Sequence, residues 1–268
     1  MCDAQERVQD SRFCNLFLVA RRRFFVPEIR RGTAELAGSD AEHLIKVLRA
    51  EAGQVYEISD NRDVYLASIE VARKSLVSFR VIEKLPAPAP PVSSILVAAL
   101  IKFDRFELLV EKATELGVST ILPFQATRTE RGLIQASVKR RERWERIALE
   151  AGQQARRAQL PRIEPAVRLV EALHINAGVR LLLDENPDAP PILNALPAAR
   201  HTTDTVALLI GPEGGWTDEE REQAKEAKWL PCSLAQTVLR AETAAIAGLA
   251  ILQAAWYCAG AARAEPRS

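Results

Sequence analysis

The chain has 268 residues, 48% apolar and 26% charged, with 36 Lys plus Arg against 35 Asp plus Glu and a formal charge of +1. This length admits two domains and a substantial core, the composition excludes disorder, and the charge balance excludes a histone-like polyelectrolyte. Cys2, Cys14, Cys232 and Cys258 form no CxxC pair and are joined by only three histidines, so thiols in a reducing compartment are expected, with no zinc site and no disulfide framework.

In chain order, the polar N-terminal segment MCDAQERVQDSRFC carries both charge signs and lacks the apolar core of a secretory leader. Short strands are predicted at Phe24–Val26, Gln54–Ser59, Val64–Val71 and Leu76–Ile82; in the last, Val77, Phe79 and Val81 alternate with Ser78, Arg80 and Ile82. One helix interrupts them, starting at Ser39 with Ser39 and Glu42 at capping-box spacing and running through His43, Leu44, Val47 and Leu48. Residues 1–85 therefore read as a small, mostly β barrel, and the proline-rich stretch 86–92 as a stiff linker, with a proline-rich recognition motif as the competing reading. From 93 to 268 strands and helices alternate as in an α/β domain. The apolar run Ile95–Ile101 leads into a helix from Asp104 to Leu116 stopped by Gly117, then a strand Thr120–Phe124. Val179–Leu183 and Val206–Ile210 are nearly all apolar, as in parallel strands covered on both faces. The most apolar stretch, 244–258, is broken by Gln253 and is shorter than the roughly 18 residues of a membrane span, so a cytoplasmic protein is expected.

The sharpest local motif is Gly211-Pro212-Glu213-Gly214-Gly215-Trp216, which follows the strand 206–210 and precedes a helix opened by Thr217 and Glu220. Ligands of open α/β sheets sit at the carboxyl ends of strands, and glycines there allow positive φ and close backbone approach. The loop departs from GxGxxG and lacks the Lys-Ser/Thr of a P-loop, which removes the usual support for dinucleotide or ATP chemistry; a purely structural turn is the competing reading. Further on, within Ser233–Ala244, Arg240 and Glu242 are the only charges between Lys228 and Arg263. Isolated charges in apolar surroundings are costly unless paired or functional. A helix-dipole role accounts for Glu242 and leaves Arg240 unexplained.

Four ordered motifs, ELLVEKATELGV with ILPF after it, RWERIALEAGQQARRAQLPRI, GPEGGWT and VLRAETA, together with RRFFV and HLIKVLRAEAG nearer the start, resemble the ribosomal RNA small-subunit methyltransferase E family (RsmE) of the SPOUT class. The resemblance spans nearly the whole chain. It implies an N-terminal PUA-like RNA-binding β-barrel, a C-terminal α/β domain with a deep trefoil knot, and a homodimer formed through that domain. It further implies methylation of N3 of one uridine in small-subunit (16S) ribosomal RNA with S-adenosylmethionine. Ala235 stands where the family usually has glycine, and Asp60-Asn61-Arg62-Asp63 where it commonly has an Asp-Gly turn, which Asn61 is able to make.

Carried over by resemblance, the adenosine portion lies against Leu183, Asp184 and Glu185, against Ile210, Gly211, Pro212, Gly214 and Gly215, and against Leu234, Val238, Leu239, Arg240 and Thr243. Backbone groups there can read an adenine edge while the leucines and Val238 form an apolar slot. Uridine N3 carries a weakly acidic proton, and a developing imide anion calls for a cation. Arg240 is the candidate, for the anion or for a phosphate; it stays protonated and is no base. Glu213 or Glu242 is the candidate acceptor, against the alternatives that Glu213 caps backbone amides and Glu242 anchors Arg240.

RNA contact is expected at Arg21, Arg22 and Arg23, at Arg128 and Arg131, and on the basic helix with Lys139, Arg140, Arg141, Arg143, Arg146, Arg156 and Arg157. The inward stripe of that helix is Trp144, Ile147, Ala148, Ala151 and Ala155; a merely solvated outer face competes with RNA contact. Residues 86–168 hold 14 basic and 9 acidic side chains and residues 169–268 hold 8 and 13, so the neutral total is a cancellation. The segment 241–260 is an apolar helix all round and needs burial on several faces, by its own domain or by a second copy. Two other functions compete: a non-catalytic RNA-binding or ribosome-assembly factor, and a related SPOUT methyltransferase acting on another RNA.

Overall fold

The structure, a computed structural model, describes residues 23–87, 90–186 and 188–261; Arg21 and Arg22 lie outside them. The described chain folds as two compact units, residues 23–87 with 152–159, and residues 90–151 with 160–261.

The first unit is one six-stranded sheet in the order β1-β4-β5-β6-β3-β2. Its strands are β1 (Arg23–Phe25), β2 (Ile29–Arg30), β3 (Thr33–Ala37), β4 (Val55–Ser59), β5 (Val64–Arg73) and β6 (Leu76–Leu85). β1 pairs with β4 in parallel and every other ladder is antiparallel. Alternation does what it predicts: Val77 and Phe79 are fully buried while Arg80 and Ile82 are exposed. The helix α1 (Ser39–Lys46) adds Ala41 and Leu44 to the core of Phe24, Leu36, Ile58 and Ile69. It differs from expectation at both ends. Gly38, at φ 73, is the N-cap and no side chain caps the helix, so Ser39 starts the helix and makes no capping box. The helix also ends at Lys46, leaving Val47 62% and Leu48 38% exposed. The β4–β5 hairpin turns on Asn61 in the left-handed region, φ 66, with Asp60 Oδ1 accepting from the amides of Arg62 and Asp63 at 3.0 and 2.8 Å.

The second unit is a parallel sheet in the order β10-β8-β7-β12-β11-β13, with β9 on β8. Its strands are β7 (Ser93–Ala99), β8 (Thr120–Gln125), β9 (Arg162–Ile163), β10 (Val167–Arg168), β11 (Val179–Leu183), β12 (Thr205–Ile210) and β13 (Leu230–Cys232). The helices are α2 (Phe103–Glu115), α3 (Leu133–Gln154, shared with the first unit), α4 (Leu169–Ala172), α5 (Ile192–Ala195), α6 (Asp218–Glu226) and α7 (Ala241–Ala261). The continuous apolar runs are explained by two cores, one on each face. Leu96, Ala98, Leu181, Leu183, Val206 and Leu208 meet α2, α3 and α7, while Val97, Leu182, Ala207 and Leu209 face the core shared with α4 and α6. Phe106 packs 4.5 Å from Trp144 between ring centroids, locking α2 on α3. Along α3, Trp144, Ala148 and Ala151 are buried as expected, but Ala155 is exposed because the helix stops at Gln154. Arg156 and Arg157 therefore lie beyond it, among the residues that cluster with the first unit.

Candidate active site

At the carboxyl ends of β11, β12 and β13 the loops after them enclose a cavity of about 450 Å³. Register explains its position. Leu183 lies opposite both Ile210 and Cys232, so three strands finish in one row and their loops start side by side. Arg105, in the first turn of α2, closes another side.

Two glycines of 211–215 are required, Gly211 by what stands beside it and Gly215 by its backbone angle. A Cβ on Gly211 would lie 2.8 Å from Trp216 Cε2, so only glycine lets this backbone rest on the indole. Trp216 is buried, donates from Nε1 to the Leu183 carbonyl at 2.8 Å, and stacks on Phe124 at 6.1 Å and 6° between planes. Gly215 has φ +71, and a Cβ there would stand 2.5 Å from Glu185 Oε1. Beyond the loop, Thr217 and Glu220 form the capping box that spacing predicts, and Glu220 Oε1 also accepts from the Thr127 amide at 2.7 Å.

Three carboxylates line the cavity, and each has a guanidinium. Arg221 holds Asp184 through Nε and Nη2 at 3.0–3.2 Å and Glu185 at 2.9 Å, and the hydrogen bonds to Asp184 push its own pKa further up. Glu213 pairs with Arg105. Arg240 lines the cavity, is exposed, and has no side-chain partner among the described residues. At the end of β13, burial and then the Asp184 charge push the Cys232 thiol up to about 12, which keeps it unreactive.

The cavity brings together Leu183, Asp184, Glu185, Ile210, Gly211, Pro212, Glu213, Gly214, Gly215, Leu234, Val238, Leu239 and Arg240, all named from sequence. Thr243 and Glu242 are not among its lining residues. Thr243 is exposed on α7, and Glu242 is 6% exposed in the first turn of that helix, its Oε2 without a hydrogen-bond partner among the described residues. Glu242 is thereby withdrawn as an acceptor in the cavity. Sequence reading missed Arg105 and named Trp216 only as the end of the glycine motif; no local spacing ties Arg105 to a glutamate 108 positions later.

The expected RNA-facing arginines separate. Arg23 is 9% exposed and directs its guanidinium to Glu57, at 3.1 and 2.8 Å, and to the Arg156 carbonyl at 2.6 Å, which corrects its assignment to an RNA surface. Arg156 is exposed and paired with the same Glu57. Arg128 donates to the Gly214 carbonyl at 2.7 Å and so braces the glycine loop. Arg131 is exposed. Arg140 lies over the Phe103 ring at 4.9 Å, and Arg143 grips Glu107 through two bonds of 2.6 and 2.8 Å. Among the described residues no cluster of His, Cys, Asp and Glu fits a metal ion, and no helix is long and apolar enough to cross a membrane.

Known proteins share this architecture. The RNA methyltransferase domain family matches residues 88–253. Ribosomal RNA small subunit methyltransferase E of Synechocystis is 32% identical over 244 residues, covering 89% of this chain and 78% of its own. The protein of the same name from Bacillus subtilis is 29% identical over 229 residues, covering 82% and 89%. Among solved structures, the Neisseria gonorrhoeae methyltransferase E bound to S-adenosyl methionine superposes with a TM-score of 0.78 at 28% identity, covering 88% of this chain and 98% of that one. A Legionella pneumophila protein solved in complex with the cofactor SAM gives 0.78 at 31% identity, covering 87% and 97%. With a cavity at the strand ends built on the glycine loop, and relatives that match over most of both chains, the chain belongs to the ribosomal RNA small subunit methyltransferase E family.

Proposed function

We propose that this protein methylates N3 of a uridine in small-subunit ribosomal RNA, in the cytoplasm, with S-adenosylmethionine as donor. The observation that carries the reading is the cavity itself: thirteen sequence-predicted residues from three strand ends line one space of about 450 Å³, a volume suited to a nucleoside cofactor. The residues fit that group. Gly211 and Gly215 expose backbone to the cavity, Leu183, Leu234 and Leu239 offer an apolar slot, and Asp184 and Glu185, which share the one Arg221, leave negative charge for a cationic ligand. When bound, the cofactor supplies a methyl group already activated on a sulfonium.

The chain's own task is alignment, exclusion of water and handling of the N3 proton. Arg240, which lines the cavity without a side-chain partner among the described residues, is the cation that stabilises developing imide charge in this reading. Glu213 is the carboxylate that takes the proton, since Thr217 and Glu220 already cap α6 and leave no capping role for it. The first unit supplies RNA binding as a PUA-like barrel, as its single helix and six-stranded sheet support. The segment 234–240 returning past the loops after β11 and β12 supports a trefoil knot, and Tyr257, 69% exposed on the apolar α7, supports a homodimer through the second unit. Exposed Arg131, Arg140 and Arg156 supply phosphate contacts.

Mass spectrometry of ribosomal RNA from cells lacking the gene tests the reading: one uridine loses a methyl group and regains it on complementation. An unchanged methylation pattern, or no heat of binding with millimolar S-adenosylmethionine, would favour a non-catalytic assembly factor.

A further inference from the structure

Two guanidiniums line the cavity, Arg105 from α2 and Arg240 from the loop before α7, but only Arg105 is neutralised. Its partner Glu213 has no second cation beside it among the described residues. Arg221 is taken by Asp184 and Glu185, Arg128 is turned to the Gly214 carbonyl, and α6 is capped by its own Thr217 and Glu220. The pair is about a third exposed on both sides, 31% and 36%, so solvent screens it and little free energy opposes an exchange of partners. Around Arg105, Lys102 and Asp104 of the same turn are exposed to solvent.

We propose that Arg105 is a substrate-facing cation of the site, masked by Glu213 before RNA binds and handed over to a phosphodiester of the RNA beside the target base. The inference rests on the RNA methyltransferase reading above and adds a residue and a switch to it. A phosphodiester offers two oxygens to the planar fork of a guanidinium, a better partner than a screened carboxylate. The exchange has a second effect. Once Arg105 turns to phosphate, the Glu213 carboxylate oxygen that accepted from its guanidinium is released, and it is free to accept the N3 proton only when RNA is in place. Proton acceptance is thereby coupled to substrate binding, and a carboxylate that repels phosphate during approach serves the reaction once the RNA is seated.

The test measures RNA affinity directly, by fluorescence anisotropy of a labelled small-subunit RNA fragment without cofactor, across salt concentrations, for the parent, Arg105→Gln, Arg105→Lys, Glu213→Gln and the double variant. Losing one phosphate contact should weaken binding about tenfold and flatten the slope of log affinity against log salt by about 0.7–0.9. Arg105→Lys should restore most of the slope, Glu213→Gln should bind several-fold more tightly than the parent, and that gain should vanish in the double variant. Circular dichroism melts of all the variants should match the parent, which confirms folding. An unchanged salt slope in Arg105→Gln, or an equal effect of Glu213→Gln with and without Arg105, overturns the handover. If the parent binds the RNA but transfers no methyl group to it, the methyltransferase reading fails while the affinity series still decides the handover.

Discussion

Gly211→Ala adds one methyl group at the most crowded point of the cavity wall. The new Cβ stands 2.8 Å from Trp216 Cε2, 3.0 Å from Nε1 and 3.2 Å from Cδ2, inside the roughly 3.5–4.0 Å at which carbon atoms pack. The indole has nowhere to go. Its Nε1 is bonded to the Leu183 carbonyl at 2.8 Å and its face lies flat on Phe124, so relief requires either the loop to retreat or the ring to rotate and break that bond. Overpacking costs about 1–3 kcal/mol, and a buried donor and carbonyl left unpaired cost about 1–3 kcal/mol more, for a total of about 2–6 kcal/mol. At about 2–4 °C per kcal/mol for a unit of this size, the melting temperature falls by about 4–24 °C. Because Gly211 also lines the cavity, affinity for S-adenosylmethionine falls by about tenfold or more, equivalent to about 1.4 kcal/mol. Scanning and titration calorimetry measure both. Gly178→Ala is the control: its Cβ meets nothing nearer than the Thr205 carbonyl at 3.7 Å, and its cost stays within about 0.5–1 kcal/mol. Trimming the ring in Gly211→Ala/Trp216→Phe should cost less than the two single changes added together. Parent-like melting and affinity in Gly211→Ala, or equal losses at both glycines, refute the reasoning.

Three other perturbations probe separate parts of the molecule. Arg240→Ala removes the one cavity guanidinium that no carboxylate among the described residues neutralises; methyl transfer should be lost while the melting temperature holds, and turnover within a few-fold of the parent removes Arg240 from any central role. The Cys232 thiol stays protonated in the folded chain to about 12 whereas an unfolded thiol ionises near 8.5, so its contribution to stability is complete below about pH 8.5 and is lost as pH rises toward 12. Alkylation read by mass spectrometry at about pH 8 should therefore modify exposed Cys258 and spare Cys232 until denaturant is added, and Cys232→Ala should flatten the alkaline decline of the melting temperature. Glu57→Ala leaves the guanidiniums of Arg23 and Arg156 without their shared carboxylate; breaking a buried pair of this kind costs about 3–5 kcal/mol in chemical denaturation, and a loss under about 1 kcal/mol would show that solvent already serves Arg23.

How much of this was legible depended on whether one segment carried the whole signal. Strands β7, β11 and β12 stand out because both faces are covered and nearly every position inside them is apolar. The glycine loop does so because Gly211 answers to Trp216 five positions on and Gly215 to its own positive φ, and Asn61 because a left-handed turn tolerates few side chains. The pieces that escaped are those whose meaning lies in a distant partner. Strands β2, β9 and β10 have two residues each and show no period; only the neighbouring ladder makes them strands. Arg23 reads as surface charge in a basic triplet, yet Glu57, 34 positions on, buries it.

The same dependence explains why the cavity is legible as a pocket before it is legible as a mechanism. The lining residues cluster in three short motifs, each at the end of a strand, so sequence alone gathers them. Their charges do not stay within motifs: Arg221 reaches back to Asp184 and Glu185, and Arg105 comes from α2, at the far end of the domain in sequence, to meet Glu213. A carboxylate read in isolation is a base or a cap; next to Arg105 it becomes one half of an exchangeable pair. The chemistry of the site therefore follows from which guanidinium each carboxylate meets, a property of the sheet order that brings β7 beside β12 and sets the first turn of α2 over the glycine loop.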